Sequence, residues 1–300
     1  MSSVLITGAH GFLGRNIVKG LDRQGYELNS LGKRSENSIQ CDLSKEVPKL
    51  NRSYDYVLHC AGKAHVVPRD INDEQEFLEV NVHGTRNLLI ALEQLELFPK
   101  CIVYISTVAV YGMTEGENID EKYPLLGTSP YAKSKILAEE LLSNWCNKNN
   151  VTLAIFRPSL IAGSNPPGNL GSLIKGIESG KYIRLGSGSA RKSVLMASDI
   201  SDLFTKVLSK GGVYNVCADH HPSFFELEQV IANQLNKKIP ISIPLWVAYV
   251  IGWIGDVFKG WIPVNSEMIK KMTSSLTFSN ERAKKELDWQ PSDVLKNFKI

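Results

Sequence analysis

The sequence of 300 residues lacks the features that mark several large classes of protein. Its five cysteines include no C-x-x-C pair, and their odd number predicts free thiols in a reducing compartment rather than a disulfide framework. The six histidines show no H-E-x-x-H or similar ligand spacing, so we expect no metal site. Net charge is only +3, without a block of Lys and Arg, and we therefore expect no nucleic-acid partner.

Long apolar runs are also scarce. The N-terminal run Val4–Ile6 is too short for a signal peptide and leads directly into glycines, so we expect a cytoplasmic protein. The uncharged segment Ile239–Gly255 contains Pro240 and Pro244 and falls short of a spanning helix. We expect a helix that begins near Pro244 and is buried or faces a partner. Peripheral contact of residues 243–262 with a membrane is the alternative.

Short apolar runs alternate with amphipathic segments along the first half of the chain. The apolar runs predict strands over Val4–Thr7, Leu28–Leu31, Tyr56–Cys60, Ile102–Ser106, Val151–Phe156 and, later, Val213–Cys217. Helical spacing predicts helices over Phe12–Arg23, Phe77–Leu97 and Tyr131–Asn147, the last capped by Ser129 and Pro130. This alternation predicts an α/β fold, a doubly wound parallel sheet with helices on both faces. The pattern loosens after Phe156, which indicates a second, smaller lobe.

A glycine-rich loop joins the first predicted strand to the first predicted helix. Gly8 permits a tight turn, Gly11 lets a pyrophosphate approach the backbone, and Gly14 lets the helix pack closely on the strand. The helix N-terminus adds free N–H groups and partial positive charge. In this strand–loop–helix context the three glycines predict dinucleotide binding.

The tip of the second predicted strand has no acidic residue. An acid about 20 residues after such a loop normally binds the adenine ribose, whereas this sequence has Gly32, Lys33 and Arg34 there. Two cations suit a 2′-phosphate, so we expect NADP to be preferred. If both cations are merely solvated, NAD remains the alternative.

Tyr131 and Lys135 stand four residues apart, a spacing that places a phenol and an ammonium on one face of a helix. A nearby ammonium lowers the pKa of a tyrosine from about 10 toward neutrality. The phenol can then exchange a proton with a carbinol or a ketone. Ile105–Gly112 ends the preceding predicted strand, at the edge where active sites of such sheets gather. Thr107 in this segment is a candidate to hydrogen-bond the substrate hydroxyl and share in the proton relay.

With these features the chain closely resembles the extended short-chain dehydrogenase/reductases, specifically the nucleotide-sugar epimerase/dehydratase family, over nearly its whole length. The family motifs T-G-x-x-G-x-x-G, H-x-A-G, N-x-x-G-T-x-N-L, Y-x-x-x-K and R-P match Thr7–Gly14, His59–Gly62, Asn81–Leu88, Tyr131–Lys135 and Arg157–Pro158. The resemblance implies the catalytic residues Thr107, Tyr131 and Lys135. The expected cofactor contacts, from the loop, the second-strand tip and the motifs, are Gly8, Gly11, Phe12, Leu13, Gly14, Lys33, Arg34, Asp42, Leu43, Cys60, Ala61, Gly62, Asn81, Tyr131, Lys135 and Pro158.

The resemblance also implies a Rossmann domain with a C-terminal lobe for a nucleoside diphosphate sugar, with UDP as the expected nucleotide. We expect residues 1–162, rejoined by 192–218, to form the Rossmann domain and residues 163–191 and 219–300 to form the substrate lobe. Expected substrate contacts are Val108, Asn169, Arg191 and Lys192. The family's diphosphate-binding Arg aligns with Lys192 and lies next to Arg191, so either side chain remains a candidate for that contact.

The residues after Thr107 bear on the reaction. Sugar 4,6-dehydratases of the family carry Asp-Glu where this sequence has Val108 and Ala109, which argues against dehydration. A 4-keto-sugar reductase, which spends NAD(P)H, and a 4-epimerase, which retains its NAD, both remain. Lys33 and Arg34 favour the reductase. The overall resemblance of residues 157–300 to 4-ketoreductases favours it as well. A non-catalytic dinucleotide-binding sensor or scaffold is disfavoured because Tyr131 and Lys135 are both present.

Family members often form dimers through the helices that correspond to residues 84–97 and 131–147. Leu88, Leu92, Leu137 and Leu141 suit such a face, although a core explains them equally well. We therefore expect a homodimer that acts in polysaccharide biosynthesis. A membrane contact through residues 243–262 would suit a polyprenyl-linked sugar.

Overall fold

The computed structural model describes residues 1–64, 70–258 and 265–300. Its strands are β1 Ser3–Thr7, β2 Glu27–Gly32, β3 Ile39–Gln40, β4 Tyr56–His59, β5 Cys101–Ile105, β6 Gly116–Ile119, β7 Thr152–Pro158, β8 Leu160–Ala162, β9 Arg184–Leu185, β10 Val194–Met196, β11 Gly212–Val216, β12 Ser242–Ile243 and β13 Leu276–Phe278. Its α-helices are α1 Phe12–Arg23, α2 Ile71–Leu78, α3 Gly84–Glu93, α4 Pro130–Asn149, α5 Gly168–Glu178, α6 Asp199–Val207, α7 Phe224–Gln234, α8 Leu245–Val257, α9 Ser266–Thr273, α10 Glu281–Leu287 and α11 Val294–Asn297.

Seven strands form one parallel sheet in the order β11-β7-β5-β4-β1-β2-β3. The chain builds outward from β1 to β3 on one side, then restarts at β4 on the other side of β1. The predicted doubly wound α/β fold is thus confirmed. Ligands of such sheets bind at this reversal, beyond the carboxyl ends of β1 and β4.

Alternate strand residues pack into two cores, one on each face of the sheet. Val4 and Ile6 join the core of α1 and α6, whereas Leu5 joins the core of α3 and α4. Leu88 and Leu92 are fully buried in this second core, so a core position explains them. Leu137, by contrast, is exposed on α4. All five cysteines are free thiols.

The helix predicted over Phe77–Leu97 differs most from the structure. The helical segment begins earlier, at Ile71, where the Asp70 side chain caps α2 by accepting a hydrogen bond from Asp73 N. The sequence analysis missed this start because the first turn is mostly polar and shows no apolar residues at helical spacing. A single π-helical turn over Glu79–His83 then leads into α3, which ends at Glu93.

Three two-stranded parallel sheets lie outside the large sheet: β8 with β10, β9 with β12 and β6 with β13. Helix α8 begins directly after Pro244, as predicted, but it is buried on one face only. Residues 259–262 of the segment predicted to approach a membrane lie outside the described residues. Within the described ranges, no helix has the length and hydropathy needed to cross a bilayer.

A buried ion pair joins α4 to β7 beneath the carboxyl edge of the sheet. Arg157 Nη2 lies 2.6 Å from Glu139 Oε2, and both side chains are almost fully buried. Ser106 Oγ, just beyond β5, donates to Glu139 Oε1 at 2.5 Å. Arg157 Nη1 donates to Tyr111 Oη at 3.0 Å. The pair therefore fixes α4, β7 and the end of β5 relative to one another.

Removing one partner of this pair should cost much more than removing both. We expect Arg157→Met to lower the free energy of unfolding by about 3–5 kcal/mol, because the Glu139 carboxylate is left buried and unpaired. Arg157→Met combined with Glu139→Met should recover part of that loss. The measurement is urea unfolding, with the exposed Arg86→Met on α3 as a control that stays within about 0.5 kcal/mol of wild type. Equal stability of Arg157→Met and wild type would contradict the role assigned to the pair.

Candidate active site at the carboxyl edge of the sheet

The loop between β1 and α1 leaves no room for side chains at two of its glycines. Gly8 has a left-handed φ of +72°, and a Cβ there would lie 2.7 Å from Ala61 N. A Cβ on Gly14 would lie 2.1 Å from Gly8 O, because the first turn of α1 packs directly on the loop. Within the described residues no side chain caps α1 at Gly11, which leaves its first amide groups available to bind an anion. The cradle fits the pyrophosphate of a dinucleotide.

Gly14→Ala should therefore abolish dinucleotide binding, since the new methyl group would force the loop away from α1. We expect loss of the fluorescence signal of bound NADPH in a titration. Gly84→Ala in α3 is the matched control, because its Cβ would meet Leu43 Cβ at an ordinary 3.6 Å. A Gly14→Ala protein that binds the cofactor as wild type does would show that the close packing is not required.

The stretch Cys60–Gly62 connects the glycine loop to the catalytic side of the site. Ala61 N donates to Thr7 Oγ1 at 3.0 Å. A Cβ on Gly62 would lie 3.2 Å from Lys135 Nζ. The structure thus brings these predicted cofactor contacts between the loop and the lysine of α4.

Phe12, Leu13 and Pro158 are predicted cofactor contacts at two other places. Phe12 and Leu13 are the first residues of α1, and Pro158 is the last residue of β7. A Cβ on Gly163 would lie 3.2 Å from Phe12 Cζ. The Phe12 ring therefore lies against the segment that follows β8.

A buried histidine at the end of β4 ties β1 to the π-helical turn. His59 Nε2 lies 2.8 Å from Thr85 Oγ1, whose hydroxyl donates to Asn81 O at 2.6 Å. The ring nitrogen Nε2 must then be the donor, and Nδ1 accepts from the Thr7 hydroxyl at 2.6 Å. Burial lowers the pKa of His59 to about 3, which keeps the ring neutral. With only one ring N–H, each group in the series Thr7, His59, Thr85 and Asn81 O donates to the next.

Asn81 uses its whole side chain to hold neighbouring elements together. Its Oδ1 accepts from Lys63 N at 2.7 Å, and its Nδ2 donates to Lys63 O at 3.1 Å and Ser134 Oγ at 2.8 Å. The side chain is almost fully buried. In this arrangement Asn81 acts as a positioning residue between the Cys60–Gly62 stretch and α4.

The three predicted catalytic residues meet just beyond β5. Tyr131 and Lys135 lie on the first turns of α4, and Thr107 caps the one-turn helix Val108–Tyr111 by accepting from Ala109 N at 3.2 Å. The Thr107 side chain lies within hydrogen-bonding reach of Tyr131. Lys135 Nζ donates to Ile105 O at 2.8 Å. The site thus joins a phenol, a hydroxyl and a buried ammonium at the end of one strand.

The pKa values of the pair differ from the sequence expectation. Burial raises the pKa of Tyr131, and the hydrogen bond with Thr107 only partly offsets this rise. The expectation that Lys135 lowers the pKa of the phenol toward 7 is wrong. The reason is geometric: the ammonium points to Ile105 O and lies 4.7 Å from the centre of the Tyr104 ring. Positive charge entering the site would favour the phenolate.

The buried ammonium of Lys135 makes stability depend on pH. Burial lowers its pKa to about 8 from a usual 10.5, against the opposing effect of Glu139. Between these values the unfolded chain binds more protons than the folded one, so the free energy of unfolding rises with pH. Relative to Lys135→Met, we expect wild type to gain on the order of 3 kcal/mol between pH 8 and 10.5 in urea unfolding.

The exposed Lys133→Met on the same helix is the matched control and should retain the wild-type slope. Comparing each variant with wild type cancels the titration of the other groups. Parallel curves for wild type and Lys135→Met would contradict the lowered pKa.

The second-strand tip holds one paired cation and one exposed cation. Lys33 Nζ lies 3.1 Å from Asp42 Oδ2, and Asp42 also accepts from Ser44 Oγ at 2.6 Å. Although burial opposes it, these hydrogen bonds keep the pKa of Asp42 below its usual value. Arg34 is exposed. Leu43, the next predicted cofactor contact, accepts a hydrogen bond at its backbone oxygen from Asn87 Nδ2 at 2.8 Å. Lys33 is thus not simply a solvated cation.

The predicted substrate contacts lie on three segments of the chain. Asn169 is exposed at the start of α5, and Val108 follows Thr107. Arg191 Nη1 donates to His221 O at 2.8 Å, whereas Lys192 Nζ donates to Ser274 O at 3.0 Å. Burial lowers the pKa of Lys192.

A cleft that the sequence did not indicate lies beside β9. It is lined by Tyr182, Arg184, Leu185, Ser187, Gly188, Ser189, Ala190, Phe224, Leu245, Met272 and Thr273. Arg184 is its only cation; Nη1 lies 3.3 Å from the buried Glu228, and Nε has no hydrogen-bond partner among the described residues. In the sequence, the signal that could have indicated this cleft is the single arginine Arg184 before a stretch of Gly and Ser. No three His, Cys, Asp or Glu side chains cluster as metal ligands in the described part of the chain.

Fold and site together define a dinucleotide-dependent enzyme with a Tyr–Lys pair for proton transfer. The chain belongs to the NAD dependent epimerase/dehydratase family, whose model matches residues 4–217. The family resemblance drawn from the motifs is confirmed, and the protein is an NAD(P)-dependent enzyme of that family.

Two curated relatives match nearly the whole chain. The N-acetyl-alpha-D-glucosaminyl-diphospho-ditrans,octacis-undecaprenol 4-epimerase of Escherichia coli O157:H7 is 31% identical, over 92% of this chain and 87% of that protein. The UDP-glucose 4-epimerase of Vibrio cholerae is 27% identical, over 98% and 92%. The solved structure of RMD from Pseudomonas aeruginosa complexed with NADPH shares the fold, with a TM-score of 0.70 at 23% identity over 99% and 96% of the two chains.

Proposed function

We propose that this protein is an NAD(P)-dependent 4-epimerase that acts on a sugar attached to a diphosphate. The observation that carries the proposal is the placement of Thr107 within hydrogen-bonding reach of Tyr131, with the buried ammonium of Lys135 on the next turn of the same helix. Val108 and Ala109 follow Thr107, so this position supplies no acid or base for the removal of water. The similarity to the Escherichia coli 4-epimerase supports epimerisation over the other reactions of the family.

The chain's own residues account for the proton transfers. A bound nicotinamide ring supplies the hydride acceptor and donor. Thr107 holds the sugar hydroxyl, and Tyr131 Oη accepts its proton as the carbinol becomes a ketone, then returns it when the ketone is reduced. The ammonium of Lys135 stabilises the phenolate form of Tyr131, which exists before the proton is accepted and again after it is returned. Asn81 and Glu139 keep α4, and therefore this pair, in position.

A 4-keto-sugar reductase is the second candidate, and Lys33 and Arg34 at the tip of β2 favour it. These cations suit the 2′-phosphate of NADP, the cofactor that a reductase spends. We propose NADP as the preferred cofactor on the same ground, with Arg34 the stronger contact because Lys33 is paired with Asp42.

The carrier of the sugar is proposed from the second half of the chain. We propose that residues 163–191 and 219–300 form the substrate lobe, because every lining residue of the cleft beside β9 falls in these ranges. A nucleoside diphosphate, UDP above all, is the first candidate carrier. A polyprenyl diphosphate is the second, since the Escherichia coli relative acts on an undecaprenol-linked sugar. Asn169, Arg191 and Lys192 are proposed to act at the mouth of this lobe.

Two further proposals concern the setting of the enzyme. The exposed Leu137 on α4 supports a homodimer built through this helix. Five free thiols suit the cytoplasm, where sugars are prepared for polysaccharide biosynthesis.

The reaction is tested by incubating the protein with UDP-N-acetylglucosamine or its 4-keto derivative and following both C4 epimers by NMR and NADPH by absorbance. Interconversion of the epimers without net loss of NADPH supports the epimerase, whereas stoichiometric loss with the keto sugar supports the reductase. Tyr131→Phe should lower kcat about 10²–10⁴-fold, because proton transfer at the sugar oxygen is lost.

The matched control is Tyr26→Phe, whose hydroxyl lies at the surface, 3.5 Å from Thr205 Oγ1. It should keep wild-type turnover. Cofactor binding should survive in both variants. Unchanged kcat in Tyr131→Phe would overturn the mechanism, and the absence of any turnover with intact cofactor binding would favour the scaffold alternative.

A further inference from the structure

Helix α8 has two faces of opposite character. Ala248, Gly252 and Gly255 are buried and form a stripe of small residues that packs on α9. A Cβ on Gly252 would lie 3.1 Å from Ile269 Cγ1, so the two helices are in direct contact. The opposite stripe, which we call the tryptophan face, consists of Trp246, Val250, Trp253 and Val257. These four residues recur at the spacing of one helix face.

The tryptophan face is exposed to an extent that is unusual for such side chains. Trp246 is 70% exposed and Trp253 is 65% exposed, and both valines are exposed as well. Apolar exposure continues around the helix through Leu245, Tyr249 and Ile251, and onto Met268 of α9. A contiguous apolar patch of this kind marks an interaction site rather than ordinary surface.

The charge pattern around the patch fits an anionic lipid surface. Between Leu245 and Val257 the only charged residue is Asp256, at the end of the helix. Lys237 and Lys238, shortly before α8, are exposed and form no ion pair among the described residues. Two tryptophans and a tyrosine on an apolar helix, preceded by free lysines, match the composition of helices that lie in a membrane interface.

The dimensions of α8 fit this orientation. A helix of this length extends only about 20 Å, against roughly 30 Å for the hydrocarbon core of a bilayer. Because its small-residue stripe is packed on α9, the helix can bury only its outer face. It therefore suits insertion parallel to the surface rather than across it.

The patch is continuous with the cleft beside β9. Leu245, the first residue of α8, lines the cleft together with Arg184, Met272 and Thr273. A Cβ on Gly186 would lie 2.7 Å from Leu245 Cγ, so the start of α8 is held against the cleft wall. Trp246 follows at once and opens the tryptophan face. A ligand whose anionic part lies near Arg184 can thus leave the cleft directly onto the apolar patch.

We propose that the tryptophan face docks on an anionic membrane, so that the cleft receives a sugar diphosphate whose carrier is a polyisoprenoid lipid held in that membrane. The choice of carrier rests on the proposed function, whereas membrane docking does not. The chemistry that recognises the partner is apolar insertion of α8 combined with attraction between Lys237, Lys238 and acidic headgroups.

Docking is tested by sedimentation of the full-length protein with vesicles of phosphatidylcholine and phosphatidylglycerol, without any sugar substrate. We expect wild type to bind, with a blue shift of tryptophan emission and quenching by brominated lipid. Trp246→Ser combined with Trp253→Ser should weaken partitioning roughly a hundredfold. Lys237→Gln and Lys238→Gln should each weaken it roughly fivefold, and this loss should disappear on pure phosphatidylcholine.

The matched control replaces two exposed apolar residues far along the sequence from α8, Ile71→Ser with Leu97→Ser, and should bind as wild type does. Circular dichroism and cofactor binding verify that each variant is folded. Failure of wild type to bind the vesicles overturns the proposal. So does equal binding by the double tryptophan variant. A protein dimer in light scattering that the double tryptophan variant converts to a monomer also overturns it, because a second copy then covers the face.

The carrier is tested separately. The double tryptophan variant should keep its turnover of a soluble UDP-sugar, if wild type has any, and lose turnover of a polyprenyl-diphosphate sugar in vesicles. Docking with no turnover of either substrate would refute the proposed function and leave docking standing. Equal turnover of the vesicle-bound substrate by both proteins would overturn the role of α8.

Discussion

The buried carboxylate of Glu139 is the point on which the carboxyl edge of the sheet depends. It accepts from Ser106 at the end of β5 and from Arg157 in β7, and it lies one helical turn beyond Lys135 on α4. A carboxylate can be buried only if several donors surround it. Donors from the other two elements therefore stabilise the Glu139 carboxylate. In return, these hydrogen bonds hold α4, β7 and the end of β5 in fixed positions relative to one another.

This constraint sets the electrostatics of the reacting groups. Burial favours the neutral forms of both Tyr131 and Lys135, and the negative charge of Glu139 acts against it at the lysine. A phenol with a raised pKa and an ammonium with a lowered pKa thus lie on successive turns of α4. Positive charge beside the phenol would favour the phenolate. Rigid positioning below the site and adjustable protonation within it are therefore compatible.

Sequence patterns predicted the parts of the site that depend on local spacing. Tyr131 and Lys135 share a helix face, and the glycines at 8 and 14 stand at a strand–helix junction, so neighbours along the chain determine both features. Contacts between distant residues carried no such signal. The ion pair of Lys33 with Asp42 was not predicted, and neither was the rise in the pKa of Tyr131 that burial causes.

The same contrast between local spacing and distant contacts explains two further errors, in the start of a helix and in which face of a helix is buried. The start of α2 depends on a cap at Asp70 rather than on apolar period, and periodicity cannot detect it. The uncharged segment around α8 correctly predicted a helix after Pro244, but not which face is covered. That depends on Gly252 meeting Ile269 in a helix that follows later in the chain.

The proposed choice of sugar carrier depends on which part of the binding site can distinguish a nucleoside from a polyprenyl lipid. Nucleoside and polyprenyl carriers present the same diphosphate, so under this proposal Arg184 would attract both and would not distinguish them. Discrimination must arise beyond the diphosphate, where a nucleoside requires polar partners for its base and ribose and a lipid requires apolar surface. Beyond Arg184 the wall of the cleft passes through Leu245 into the tryptophan face. The apolar surface at that exit is the observation behind the proposal of a lipid carrier.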